Sequence, residues 1–155
     1  MFNIFKPLPM MNLYPLLLDV HSLLRWLIVL LMVAVALKSL VSWIKKYEYG
    51  PFDDRLAVFT VIFVHVQFLI GLILYFISPI VQSGLRDMAA AMKSADLRFW
   101  TVEHSVGMLA AVVLATVGRA VSRRKKNPLA KHRVTAIYFI LSLVIMIAMI
   151  PWERV

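Results

Sequence analysis

Four histidines, His21, His65, His104 and His132, are distributed one to each of four long apolar segments of this chain. Neutral imidazole is an ordinary axial ligand of haem iron. An ionisable ring inside a bilayer faces a partner, a cofactor or water, because hydrocarbon does not solvate it. A buried redox cofactor is therefore the first chemistry this spacing suggests. The rest of the repertoire is narrow. There are no cysteines, which excludes disulfides, iron–sulfur clusters and thiolate metal sites. No Gly-rich phosphate loop occurs, and no HExxH or Glu-x-x-His set suits zinc or a di-iron centre. Ser22 and Ser105 each follow a histidine, but consecutive helical residues do not face one another, so no nucleophile–base pair is indicated.

The elements that must carry these residues are membrane helices. The 155 residues are 62% hydrophobic, with a mean hydropathy of +0.84, well above the roughly one-half apolar share of a soluble domain. Crossing a hydrocarbon core takes about 20 apolar residues. Spans are expected over about 14–44, 55–80, 99–121 and 134–151, which use the chain 1–155 as a single integral membrane domain. The predicted fold is all-α, a four-helix transmembrane bundle. Asp53 or Asp54 is expected to cap the second helix, and the Ala/Met-rich stretch after Pro79 is expected to form a short interfacial helix. The N-terminal segment carries prolines and no charged n-region before a small-residue cleavage site, so the first span itself is expected to direct insertion.

The net charge of +9 is concentrated in two connections. Lys45, Lys46 and Arg55 follow the first span, and Arg123, Arg124, Lys125, Lys126, Lys131 and Arg133 follow the third. Basic loops stay cytoplasmic during insertion. The expected topology is therefore up-down-up-down in a bacterial inner membrane, with both termini and the long second connection on the outer, periplasmic side. The charge reads as a topology signal with attraction to anionic lipid, not as a nucleic-acid surface.

Depth sorts the histidines. His21 lies six residues inside Pro15 and His104 five inside Phe99, so both fall within about 10 Å of the outer boundary. Spans one and three are diagonal in an up-down-up-down square, where two rings at one depth suit a single iron. His65 lies near mid-membrane, open to a role as ligand, ligand-supporting donor or quinone contact. His132 sits in a basic triplet at the inner boundary, roughly 15 Å from the depth of His65, which argues against a second haem between those two. One turn from His21, Arg25 could pair with a haem propionate, with Asp19 or Glu103, or with lipid head groups. His104, Gly107, Ala111, Ala115 and Gly118 share a face, leaving either a slot for a planar ring or a close helix contact. Arg119 and Lys38 are expected to mark the inner boundary.

The pieces DVHSLLRW, HVQFLIGLILYFISP, RFWTVEHSVGM, VGRA, KHR and IPW resemble a family of small four-span bacterial membrane proteins labelled cytochrome b. More distantly they resemble the four-helix core of the cytochrome b-561 group. The resemblance covers about residues 14–152. It implies haem b, bis-histidine ligation between alternate helices and electron exchange with quinol or another small donor. Carried over by position, His21 and His104 match ligands on helices one and three, and His65 and His132 those on helices two and four. One haem, with His21, His104 and His65 as candidate metal ligands and Arg25, Gly107 and His132 as further cofactor contacts, is the expected site. The rival expectations are a cofactor-free assembly subunit of a larger membrane complex or homo-oligomer, and a histidine-relay proton channel.

Overall fold

The computed structural model describes residues 10–152, with side chains from Leu13 onward. These residues form helices α1 (Met10–Ile44), α2 (Pro51–Ile77), α3 (Pro79–Arg86), α4 (Met88–Lys93), α5 (Ala95–Arg98), α6 (His104–Arg124) and α7 (Pro128–Ala148), and no strand occurs among them. A π-helical turn, Phe99–Glu103, joins α5 to α6, so residues 95–124 run as one rod. Four helical stretches are long and apolar enough to cross a membrane: Leu13–Ile44, Pro51–Ile77, Ala95–Arg124 and Pro128–Ala148.

The helix ends follow local chemistry and differ from the hydropathy boundaries. α2 starts at Pro51 rather than near residue 55. Proline at the first helical position lacks an N–H that would have no partner anyway. Gly50 occupies the N-cap position, and Asp53 caps the helix end as expected, from the third helical position: the Gly50 backbone N–H donates to Asp53 Oδ2 at 2.9 Å in a capping box. α2 stops at Ile77 rather than 80, because Pro79 disfavours helical backbone at Ser78. α7 starts at Pro128 rather than 134, since Asn127 Oδ1 accepts from the N–H groups of Leu129 and Ala130. The Ala/Met-rich stretch forms α4, capped by Asp87, whose Oδ1 accepts from Ala90 N–H.

α1 packs on α2 and α7, and α6 packs on the same two helices, which leaves α1 and α6 facing across the diagonal. Cross-contacts give the registers. Gln67 of α2 reaches His21 of α1, while Lys38 near the other end of α1 meets Asp53 in the first turn of α2. Tyr75 donates to the Thr101 carbonyl, and Arg119 meets Asp54. Ser142 of α7 donates to the Ala111 carbonyl of α6 at 2.7 Å. Neighbouring helices therefore run antiparallel. The end holding His21 and His104 is called the upper end below, and the end where α2 and α7 begin the lower.

The packing suits helices long and apolar enough to cross a membrane. Lipid tails are as apolar as leucine, so burial of large apolar side chains drives nothing, and close approach plus interhelical hydrogen bonds hold the helices. The buried seams accordingly hold small or hydroxylated residues, among them Ala36, Ser39, Ala57, Thr60, Ala111, Ala115, Ala136 and Ser142. Thr135 donates to Ser122 Oγ at 2.9 Å, and Ser122 to the Lys131 carbonyl at 3.2 Å. Ile28, Met32, Val64 and Phe139 fill the remaining core volume. Leu23, Leu30, Phe59, Phe76 and Val144 point outward.

Candidate functional site

The upper end gathers His21, Arg25, Gln67, Gly71, His104 and Met149. The His21 ring lies against Gly71 on α2, where a Cβ would stand 3.1 Å from Cε1 and 3.7 Å from Nδ1. Even a methyl group there would require the imidazole to give by a few tenths of an ångström. One turn away, Gln67 Nε2 donates to the backbone carbonyl of His21 at 2.8 Å, tying the ring's own backbone to α2. Three atoms of this seam are buried without a partner: His21 Nδ1, Gln67 Oε1 and Arg25 Nε. Both Arg25 and His104 lie within electrostatic range of His21. The Arg25 guanidinium sits 5.3 Å from the centroid of Trp26, and that indole meets Trp152 at 6.2 Å.

His104 is positioned by two local features. The π turn ends on it, with His104 N–H donating to the Phe99 carbonyl five residues back. Such wide turns add a residue to the helix and re-aim the side chains beside them. Phe99 and Trp100, packed edge to face on each other, both lie against its ring, with centroids at 5.7 and 5.6 Å. Across the seam, α7 ends at Ala148, so the Met149 carbonyl has no helical N–H to accept from. It stands 2.9 Å from His104 Nδ1. A carbonyl only accepts, so the ring's proton is on Nδ1 in the neutral form. Nε2 is left with its lone pair, the arrangement by which metal-ligating histidines are oriented.

Other expected residues take different places. Gly107 faces Met149, and a Cβ there would meet its Cγ at 2.6 Å and Sδ at 2.7 Å. Further down the stripe, Gly118 leaves room for Tyr138, and the Ala111 carbonyl accepts from Ser142. Of the two roles left open for these small residues, helix packing is the one such contacts serve. Glu103 is paired with Arg98 at 2.6 Å rather than with Arg25.

His65 is exposed on the outer surface of the bundle, beside Thr116 of α6. Its Nδ1 donates to the Val61 carbonyl at 2.8 Å. His132 is fully buried at the lower end, stacked on Tyr49 at 4.9 Å, with Nε2 donating to the Glu48 carbonyl at 3.3 Å. The level of His132 is that of Ser122, six residues below Thr116 on α6, or about 9 Å along the axis. The structure does not bring His65 and His132 together. Arg119, expected as a boundary residue, is only 7% exposed and holds Asp54, its Nη2 donating to Oδ2 at 2.9 Å. Lys38 is likewise paired, with Asp53, and lies over the Phe52 ring.

Among the described residues no group of three or more His, Asp or Glu could enclose a metal ion. The groups at the upper end that could face a ligand are the histidine pair and Arg25. His104 carries an oriented lone pair, the His21 ring is seated on Gly71 with a buried unpartnered nitrogen, and Arg25 adds a cation. The sequence reading missed Met149 as part of this site and did not tie Gln67 or Gly71 to His21. Nothing in their local sequence marks them, since a backbone carbonyl and a missing Cβ become functional only against a neighbouring helix. No family model, curated protein or solved structure matches the chain.

Proposed function

We propose that the protein is a membrane b-type cytochrome that exchanges single electrons with the quinone pool, with one haem ligated by His21 and His104. The carrying observation is the 2.9 Å contact of His104 Nδ1 with the Met149 carbonyl, which presents Nε2 as a ligand from the helix diagonal to that of His21. Haem b, when bound, supplies a one-electron ferric–ferrous couple. His21 and His104 would be the residues that hold the iron through imidazole nitrogens, and ligation by two histidines favours electron relay over oxygen activation. Arg25, with its unpartnered Nε and its position near both rings, would balance propionate charge. The resemblance to small four-span cytochromes agrees with this assignment.

The same reading sets the bundle up-down-up-down in a bacterial inner membrane, with the upper end and both termini periplasmic. Lys45, Lys46, Arg123, Arg124, Lys125 and Lys126 flank the lower connections and support that orientation.

The decisive test is a reduced-minus-oxidised spectrum of the protein purified from haem-replete cells. A sharp α band, lost in His21→Ala and in His104→Ala and retained in His132→Ala, is expected. A colourless protein overturns the proposal. Proton flux in liposomes that depends on His65 would then favour a relay, and co-purifying subunits an assembly role.

A further inference from the structure

A second polar site lies on the membrane-facing surface, in the groove between α2 and α6. His65 Nδ1 donates to the Val61 carbonyl at 2.8 Å, so in the neutral ring Nε2 carries a lone pair. Thr116 Oγ1 stands 3.4 Å from that Nε2. Its one proton is directed elsewhere, to the Val112 carbonyl at 2.7 Å. With the hydroxyl proton directed to the Val112 carbonyl, the shorter of its two contacts, Nε2 and Oγ1 face each other as two acceptors with no proton between them. A second proton on the imidazole would join them, but only by placing a cation in the middle of the hydrocarbon. Neutral, the pair is short of a donor, and lipid tails supply none. Leaving polar groups without partners in such surroundings is costly.

We infer that His65 Nε2 and Thr116 Oγ1 form a binding site for a lipid-soluble hydroxyl donor, and that its occupant is a hydroquinone. The acceptor pair stands on geometry alone; the hydroquinone identity rests on the quinone-pool reading above. One phenolic O–H can reach both atoms at their 3.4 Å spacing. An aromatic ring carrying it would rest against Leu69 of α2 and Val113 of α6, both exposed and one turn from the pair on their helices. A quinone offers carbonyl acceptors only and presents nothing to this pair. The site thus selects the reduced form. Its level also suits exchange with the upper end: His65 lies six residues below Gly71, the contact of His21, or about 9 Å along the axis.

The test is anaerobic titration calorimetry of the whole protein in lipid nanodiscs, using 1,4-naphthohydroquinone, its dimethyl ether and the parent naphthoquinone as probes. The hydroquinone is expected to bind at least tenfold more tightly than the ether or the quinone. His65→Phe is expected to lower its affinity tenfold or more, and Thr116→Val severalfold. His65→Gln, which keeps an acceptor, should retain most of the binding. A long-chain aliphatic alcohol added as competitor separates a general hydroxyl site from a hydroquinone site, and full displacement at equal concentration overturns the hydroquinone identity. Equal binding of all three aromatic probes, or hydroquinone binding unchanged in both His65→Phe and Thr116→Val, overturns the site itself. If His65→Phe fails to fold, Thr116→Val and the three probes on the native protein decide. The haem spectrum of the same sample reports separately on the cytochrome reading, since binding to the acceptor pair does not require the band.

Discussion

His104 Nδ1 stands 2.9 Å from the carbonyl oxygen of Met149, a residue 45 positions away that has just left its helix. One ring nitrogen is thereby committed to a carbonyl left free by the end of α7. The contact exists because Gly107, one turn beyond His104, leaves space for the Met149 side chain.

Gly107 is accordingly a sensitive position. Gly107→Leu should drive Met149 away and cost about 1–3 kcal/mol of stability, the usual range for overpacking. In the haem-loaded protein it should also broaden or shift the α band by releasing His104 Nδ1. Thermal unfolding in micelles and the difference spectrum measure the two effects. A destabilised protein with an unmoved band would separate Gly107 from the orientation of His104.

The Asp54–Arg119 pair predicts an asymmetry. Arg119 is 8% exposed in its side chain and Asp54 48%. Asp54→Ala leaves a buried guanidinium whose Nε and Nη1 already lack partners. Removing one member of a buried pair costs about 3–5 kcal/mol, and the exposure of Asp54 places this case at or below the lower limit. Arg119→Met leaves only a half-solvated carboxylate and should cost clearly less. Unfolding midpoints of the two variants give the order directly.

His132 should behave as a structural residue. His132→Ala removes a fully buried ring and leaves the Glu48 carbonyl unpaired, a loss of about 2 kcal/mol or more. The haem spectrum should not change. A lost or altered α band in a folded His132→Ala protein would contradict this placement.

Tyr49, in the connection between α1 and α2, should titrate late. Burial raises its phenol above the ordinary value of 10.0, outweighing the opposing pull of the Arg119 charge. The unfolded chain then loses this proton first as pH rises. Above about pH 10 the unfolded state binds fewer protons than the folded one, and stability falls. Below that pH the group contributes no pH dependence. Phenolate absorbance should show one tyrosine ionising after the others, a late component missing in Tyr49→Phe.

Four apolar helices and their order were legible in the residues themselves, and most of their ends only to within a few positions. Hydropathy, proline placement and capping side chains act within a few positions, so Pro51, Pro79 and Asn127 punctuate the chain wherever the helices later pack. That His21 and His104 lie toward the same end of the bundle was likewise countable, because rise per residue is fixed. Only tertiary structure decided what each ring meets. Gly71 beneath His21, the Met149 carbonyl beside His104, Thr116 beside His65 and Tyr49 against His132 come from segments 45 to 83 residues away. Whether two such residues touch depends on how each helix is rotated about its axis, a choice made by the summed packing of small residues along every seam. No local pattern records that rotation, which is why four similar histidines in sequence become four different environments in the fold.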